Sequence, residues 1–306
     1  MSPALPRVVL VTRRTPLEAL LDRFGTRGQV EFYLRSRGQD LGWAQSIHDK
    51  LQAALTTVQR AIPPHQRSVR VDRDGLDRFL FAPDDLVVIV GQDGLVPNVA
   101  KYLRGQLVIG INPDPQQYDG VLCRHPAHFA PPLLRFAGRR TGAPGPDDGF
   151  AVEQRVMALA RREDGQELRA LNEVFLGHAS HQSARYRIRC GRLSERHSSS
   201  GVIVATGTGA TGWARSIATQ RALTEPLPQP SDARLAWFVR EPFPSVATGT
   251  EVNFGFADAA EPLQLESDMD EAGVIFADGI ESDRVEFLTG QRCSIGLAPE
   301  RLRLVV

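Results

Sequence analysis

Gly201-Val-Ile-Val-Ala-Thr-Gly-Thr-Gly-Ala-Thr-Gly-Trp213 reads as a strand, a glycine-rich loop and the start of a helix in one stretch. The β-branched apolar run predicts a buried strand, and Trp213 to Leu223 carries helical spacing. Glycines between the two let backbone N–H groups approach phosphate or ribose oxygens, and a following helix presents its positive end to them. The loop is not a P-loop: Gly207 and Gly212 have the right separation, but Trp213 stands where the phosphate-binding Lys is required. Nor does it open a dinucleotide-binding βαβ domain, because its G-x-G-x-x-G spacing falls late in the chain and strand-rich sequence follows. Upstream, Asn172-Glu173 sets an amide beside a carboxylate, a pair suited to hydrogen-bonding a ribose or a base edge. From these residues alone a ligand-free turn and a simple cap remain open as alternatives.

The 306 residues are enough for one large or two ordinary domains, and Lys plus Arg balance Asp plus Glu at 36 each. That balance argues against a nucleic-acid or anionic-membrane partner. Only Lys50 and Lys101 are lysine, which reads as a composition bias toward Arg. Cys123, Cys190 and Cys293 are odd in number and widely spaced, suggesting neither a disulfide framework nor a zinc knuckle. No apolar run reaches membrane-spanning length, and Met1-Ser-Pro-Ala-Leu-Pro6 leads directly into a strand-like run, so a cytoplasmic location is expected.

The first third alternates strand-like runs (Val8 to Val11, Ser68 to Val71, Asp85 to Val90, Leu107 to Ile111) with helical spacing (Pro16 to Gly38, Trp43 to Ile62, Val96 to Leu103). Continuous Val/Ile runs separated by helices argue for a parallel sheet covered on both faces, with ligands beyond the strand C-termini. Those ends carry Gly91-Gln-Asp-Gly94 and Asn112-Pro-Asp-Pro115. A Pro/Gly-rich linker without regular structure is expected from Ala130 to Gly149, and short strands follow it to the C-terminus. The fold class is therefore an N-terminal Rossmann-like α/β domain, residues 1–145, followed by a mostly antiparallel β domain, residues 150–306. The last twenty or so residues are candidates to pack back on the first domain.

Asp93, in a tight turn after a buried strand, could accept a hydroxyl proton or hold magnesium against a triphosphate; an ordinary Asp-Gly turn is the alternative. His178 and His181 lack a third ligand nearby and read as part of a polar loop with Ser180, Gln182 and Arg185, not as a metal pair. No direct protein cluster for a metal is expected.

Taken in order, Gly91-Gln-Asp-Gly94, Gly110 to Pro115, Ala170-Leu-Asn-Glu-Val-Phe-Leu-Gly177, Ser199-Ser-Gly201, Thr206-Gly-Thr-Gly209 with Trp213, Arg240-Glu-Pro242 and Phe276-Ala-Asp-Gly279 resemble the NAD kinase superfamily, particularly its mitochondrial-type branch. The resemblance covers nearly the whole chain. It implies the NAD kinase/diacylglycerol kinase-like fold and phosphoryl transfer from ATP, with Mg2+, to the 2′-hydroxyl of the adenosine ribose of NAD. By resemblance, Asp93 is the base or metal-linked carboxylate, and Gly91, Gln92, Gly94 and Leu95 form the phosphate-donor loop. The dinucleotide falls to Asn172, Glu173, Thr206, Thr208, Gly209, Thr211, Trp213 and Ser216, and a homodimer is implied. The family's Gly-Gly-Asp-Gly-Thr reads Gly91-Gln92-Asp93-Gly94-Leu95 here, placing a side chain at the second glycine and losing a hydroxyl. Three readings therefore stand: an NAD kinase, a same-fold kinase with another acceptor or donor, and a catalytically silent nucleotide-binding protein.

Overall fold

A computed structural model of the chain describes residues 5–138 and 149–306. It divides into two compact units, Met1–Glu153 with Arg303–Val306, and Gln154–Leu302.

The first unit is built on a parallel sheet. Strands β1 (Val8–Thr12), β2 (Ser68–Asp72), β3 (Leu86–Val90) and β4 (Leu107–Asn112) lie in the order β2-β1-β3-β4. Every residue of β1 and β3 is buried, which is why both read as unbroken apolar runs. The chain passes from β1 to β2 on one side and to β3 on the other, so the strand order reverses between β1 and β3. Beyond the carboxyl ends of these two strands is where an open α/β sheet holds a ligand.

Helix α1 (Pro16–Phe24) starts at a capping box, Thr15 with Glu18, and ends at Gly25 with φ 77°. Thr26 then caps α2 (Arg27–Arg35), so the helical spacing from Pro16 to Gly38 is two helices separated by two cap signals. Helix α3 (Gly42–Ala61) packs Leu51, Leu55 and Val58 against Leu10, Val88 and Ile109 of the sheet. Helix α4 (Leu95–Ala100) follows β3, and the two-residue strand β5 (His125–Pro126) pairs with β4.

The expected linker is corrected over its first part. Ala130–Gly138 form helix α5, because Pro131 and Pro132 fall in its first turn, where a missing N–H costs nothing. Leu133, Leu134 and Phe136 then fill the core beneath it. The rest of that stretch, 139–148, lies outside the described residues.

Two strands complete the sheet, β6 (Val152–Arg155) and the C-terminal Leu302–Val305. In the latter, Arg303, Leu304 and Val305 pair in parallel with Leu107, Val108 and Ile109. His125 Nε2 lies 3.1 Å from the Val305 carbonyl and is therefore the protonated nitrogen, donating to it.

The second unit is a sandwich of two six-stranded sheets with antiparallel pairing throughout. In chain order its strands are β7 (Ala158–Arg162), β8 (Glu167–Ala170), β9 (Glu173–His178), β10 (Ala184–Cys190), β11 (Leu193–Ser199) and β12 (Val202–Ala205). Helix α6 (Trp213–Gln220) intervenes. The strands resume as β13 (Leu235–Val239), β14 (Phe254–Ala257), β15 (Leu263–Ser267), β16 (Gly273–Ala277), β17 (Ile280–Glu286) and β18 (Arg292–Leu297). One sheet runs β11-β10-β15-β18-β7-β8 and the other β14-β13-β12-β9-β16-β17. Tyr186, Trp237 and Phe287 fill the core between them, and β10 alternates buried and exposed residues as a half-covered strand must. Helix α6 lies against Phe175, Ile203 and Phe238, the other face of the second sheet.

Gly110 tests the first unit's packing. A Cβ there would overlap the Leu122 carbonyl oxygen, a backbone atom with no rotamer to change. Gly110→Ala is expected to lower stability by at least about 2 kcal/mol in chemical denaturation. A loss below about 0.5 kcal/mol would contradict this close approach.

Candidate functional site

The donor-turn motif and the Asn112-Pro-Asp-Pro115 motif meet in the first unit. A pocket of about 320 Å³ at the carboxyl ends of β1 and β3 is lined by Gly91, Gln92, Gly94 and Leu95 from one motif and by Pro113 and Asp114 from the other. Asn112 fixes the second loop: its Oδ1 accepts the Asp114 N–H at 3.0 Å, and its Nδ2 donates to the Tyr118 carbonyl. In the turn, Leu95 and Val96 donate their N–H groups to Gln92 and Asp93 carbonyls. The N–H groups of Gln92 and Gly94 have no acceptor among the described residues and remain available to an anion.

Gln92 does not strain this turn. Among the described residues the non-glycine positions with positive φ are Ala222, Glu241, Ala272 and Asp278, so the backbone at 92 does not require glycine. Its side chain is exposed and lines the pocket. Leu95 is 3% exposed and packs against Gly91, which explains why an apolar residue stands where the family carries a hydroxyl.

Asp93 is placed differently from its neighbours. Its Oδ1 accepts the N–H groups of Leu122 and Cys123 at 2.9 and 2.8 Å, and its Oδ2 accepts that of Val121 at 2.8 Å. The carboxylate thus binds residues 121–123 onto the turn and is not part of the pocket lining. Among the described residues no group of three or more His, Cys, Asp and Glu is arranged to hold a metal ion. With its oxygens already facing N–H donors, Asp93 does not fit a resident magnesium ligand.

In the second unit, Asn172 and Glu173 sit at the start of β9 on a backbone fixed from two sides. From one side, the Asp278 carboxylate accepts the N–H groups of Leu171, Asn172 and Glu173 at 3.0, 2.7 and 3.3 Å. From the other, Thr206 donates its N–H to the Asn172 carbonyl and its hydroxyl to the Leu171 carbonyl. Gly209 closes the assembly, since a Cβ there would overlap the Asn172 carbonyl oxygen. The Asn172 and Glu173 side chains are half-buried and have no polar partner among the described residues. Burial, with a smaller contribution from Asp278, pushes the Glu173 carboxyl up to about 7.

The glycine loop is not the open phosphate cradle its spacing suggested. Thr208 and Gly209 donate to the Thr206 hydroxyl, Ala210 to the Thr206 carbonyl, Thr211 to Thr208 and Gly212 to Gly209. Every backbone N–H from 208 to 212 is therefore already satisfied. Gly207 and Gly209 permit backbone-to-backbone approach, to Gln229 and Asn172 respectively. Thr206, Thr208 and Gly209 are buried beneath the Asn172-Glu173 turn, whereas Thr211, Trp213 and Ser216 are exposed. The Trp213 ring lies parallel to Phe175, centroids 6.0 Å apart, with the Arg240 guanidinium 5.0 Å from its centre.

Sequence reasoning missed Asp278 as a builder of this turn; its signal was an Asp directly before Gly279 in the Phe276-Ala-Asp-Gly279 motif. His178 Nδ1 is taken by the Ser180 N–H and hydroxyl, and the polar loop there gathers no third ligand among the described residues.

No family model matches the chain, and no curated protein matches it by sequence. Solved structures do. An NAD kinase from Archaeoglobus fulgidus in complex with ATP is 18% identical, with TM-score 0.57 over 97% of this chain and 92% of that one. Yeast NADH kinase complexed with NADH is 12% identical, with TM-score 0.60 over 99% of this chain and 84% of that one. The chain has the NAD kinase-like fold, an α/β unit and a β-rich unit. Among the described residues no helix is long and apolar enough to cross a membrane.

Two predictions follow from the carboxylates. In Asp93→Asn, whichever way the amide turns, its NH2 faces at least one of three N–H donors. The loss is expected to be about 2 kcal/mol in chemical denaturation, and an unchanged midpoint would show that the carboxylate does not hold residues 121–123.

For Glu173, the folded protein keeps a proton that the unfolded chain, at its ordinary 4.5, has lost. Stability therefore falls as pH rises from about 4.5 to about 7 and stays reduced above it. Glu173→Gln should match the wild type at pH 4.5 and exceed it by up to about 3 kcal/mol at pH 8. A difference that does not vary with pH would contradict the raised carboxyl.

Proposed function

We propose that the protein is an NAD kinase-like phosphotransferase of the mitochondrial-type branch, using MgATP to phosphorylate the adenosine-ribose 2′-hydroxyl of NAD(H). The observation that carries this reading is the Asn172-Glu173 turn, braced by Asp278 and Thr206 while both its side chains are left without protein partners. A half-buried amide and carboxylate held on a rigid backbone are complementary to a ribose hydroxyl pair and a base edge. Thr206, Thr208 and Gly209 serve by positioning that turn. Thr211, Trp213 and Ser216 supply the wall against which the dinucleotide's rings lie, with Trp213 backed by Phe175.

In the reaction the 2′-oxygen attacks the terminal phosphorus of the donor. The new O–P bond forms as the bridging P–O bond breaks, and ADP leaves with the bonding electrons. The hydroxyl proton needs an acceptor. Asp93 enters that role only by releasing three N–H groups, whereas Glu173 is unpartnered and near half-ionised at neutral pH. We assign proton acceptance to Glu173, and to Asp93 the shaping of the first unit's turn.

The competing reading, a catalytically silent nucleotide binder, draws on the commitment of Asp93 and the burial of Leu95. Incubating purified protein with NAD or NADH and MgATP separates the two: NADP(H) forms in the first case only. In either case Asn172→Ala is expected to weaken NAD binding at least about tenfold while leaving the unliganded melting temperature within about 1 °C, because its side chain holds nothing in the free protein. Undiminished NAD affinity in that variant would remove Asn172 from the site.

A further inference from the structure

In a chain whose charges balance overall, one face of the second unit gathers arginine. Strand β10 carries Arg185, Arg187 and Arg189 at alternate positions, while Ala184, Tyr186 and Ile188 between them point into the sandwich core. All three arginines are exposed on the outer face, and none has an ion pair or side-chain hydrogen bond among the described residues. Alternate residues of a strand stand about 7 Å apart. Arg196 of β11 lies directly opposite Arg187, an arrangement of like charges that destabilises a sheet. The nearest acids are committed elsewhere: Glu266, opposite Arg187 on β15, pairs with Arg292 at 3.2 Å, and Asp268 pairs with Arg196 at 2.7 Å.

The strand register turns part of this face into a trough. Arg189, Gln264, Ser294 and Arg161 follow one another in paired positions across β10, β15, β18 and β7. Long side chains therefore flank two shorter ones over three strand spacings, about 14 Å. The trough holds about 470 Å³, with Arg187 and Arg189 on one side, Arg161 and Arg162 on the other, and Arg292 beside Glu266. Arg161 is anchored by Glu167 at 2.7 Å and Arg162 by Asp164, so that side is held in place while the β10 side is free to turn toward a ligand. On the floor, the Gln264 and Ser294 side chains have no hydrogen-bond partner among the described residues. Glu163, at the rim, is the one opposing charge without an ion pair among the described residues that line the trough.

We propose that this trough is a binding site for a compact organic anion carrying two phosphate groups, of the sugar-bisphosphate class. Arg187 and Arg189 take one phosphate and the Arg161 side takes the other, while Gln264 and Ser294 meet the hydroxyls between them. The volume suits a small molecule and not a chain. No aromatic side chain is among the described residues that line it, so a nucleobase finds no stacking face there. The site lies on the outer face of the sheet that excludes β9, and it does not rest on the phosphotransferase reading.

The test is calorimetric titration of the full chain with fructose 1,6-bisphosphate, beside fructose 6-phosphate and a single-stranded oligonucleotide. The bisphosphate is expected to bind, and the monophosphate to bind at least about tenfold more weakly. Arg187→Ala combined with Arg189→Ala should weaken the bisphosphate at least about tenfold, with the melting temperature unchanged or raised because like charges are removed. Arg189→Lys should keep part of the affinity, and Arg185→Ala, on the same strand but outside the trough lining, should change it less than about twofold. No bisphosphate binding, or binding indifferent to the double substitution, would overturn the proposal. Oligonucleotide binding that is tighter than bisphosphate binding and depends equally on Arg185 would overturn it as well, by making β10 a track for a nucleic-acid backbone. So would a melting temperature lowered by more than about 3 °C in the double variant, since these arginines would then serve the fold.

Discussion

The Asp278 carboxylate, accepting the N–H groups of Leu171, Asn172 and Glu173, is the constraint on which the rest of the candidate site depends. Those three donors lead into β9 and would otherwise be left without an acceptor in buried or half-buried positions, at a cost of about 1–3 kcal/mol each. Asp278 reaches them from a left-handed backbone conformation, φ 53°, that a side-chain-bearing residue adopts at a penalty. Its own N–H donates to the Glu173 carbonyl, closing a two-way link between the β16–β17 turn and the start of β9. With the backbone so engaged, the Asn172 and Glu173 side chains can stay unpartnered without the turn collapsing.

Asp93 performs the same physical task in the first unit, with three N–H donors gathered on one carboxylate. Both acids sit in Asp-Gly sequences, and both spend their charge on backbone. The consequence is a separation of roles that residue type alone conceals. The reactive-looking Asp93 shapes a loop, and the groups beside it without a protein partner among the described residues are the backbone amides of Gln92 and Gly94. In the second unit the glycine loop supports a turn, and that turn's side chains left without a protein partner among the described residues are one amide and one carboxylate, Asn172 and Glu173.

Much of the architecture was legible because its signals are local. Unbroken Val/Ile runs marked the buried parallel strands, and alternation in Ala184–Cys190 fits a half-covered one. Which sheet accepts the C-terminal strand is not a local signal, because burial and β-propensity do not name a partner; that partner, Leu107–Ile109, is nearly two hundred residues away. Helix α5 was missed because two prolines outweighed the apolar spacing of Leu133, Leu134 and Phe136, although prolines are harmless in a first turn. At the site, Asn172-Glu173 could be singled out by residue type. That Gly207 and Gly209 accommodate backbone, not phosphate, depends on Gln229 and Asn172 arriving from elsewhere in the chain, which no spacing rule reports.

The most direct test of this account is a crystal structure of the protein grown with NAD. The account predicts polar atoms of the dinucleotide within about 3 Å of the Asn172 amide and the Glu173 carboxylate, an aromatic ring of the ligand against Trp213, and the Asp278 bonds to residues 171–173 unchanged. A dinucleotide held instead by the backbone of Gly207–Gly212, or bound with the Asn172 and Glu173 side chains turned into the protein, would contradict it.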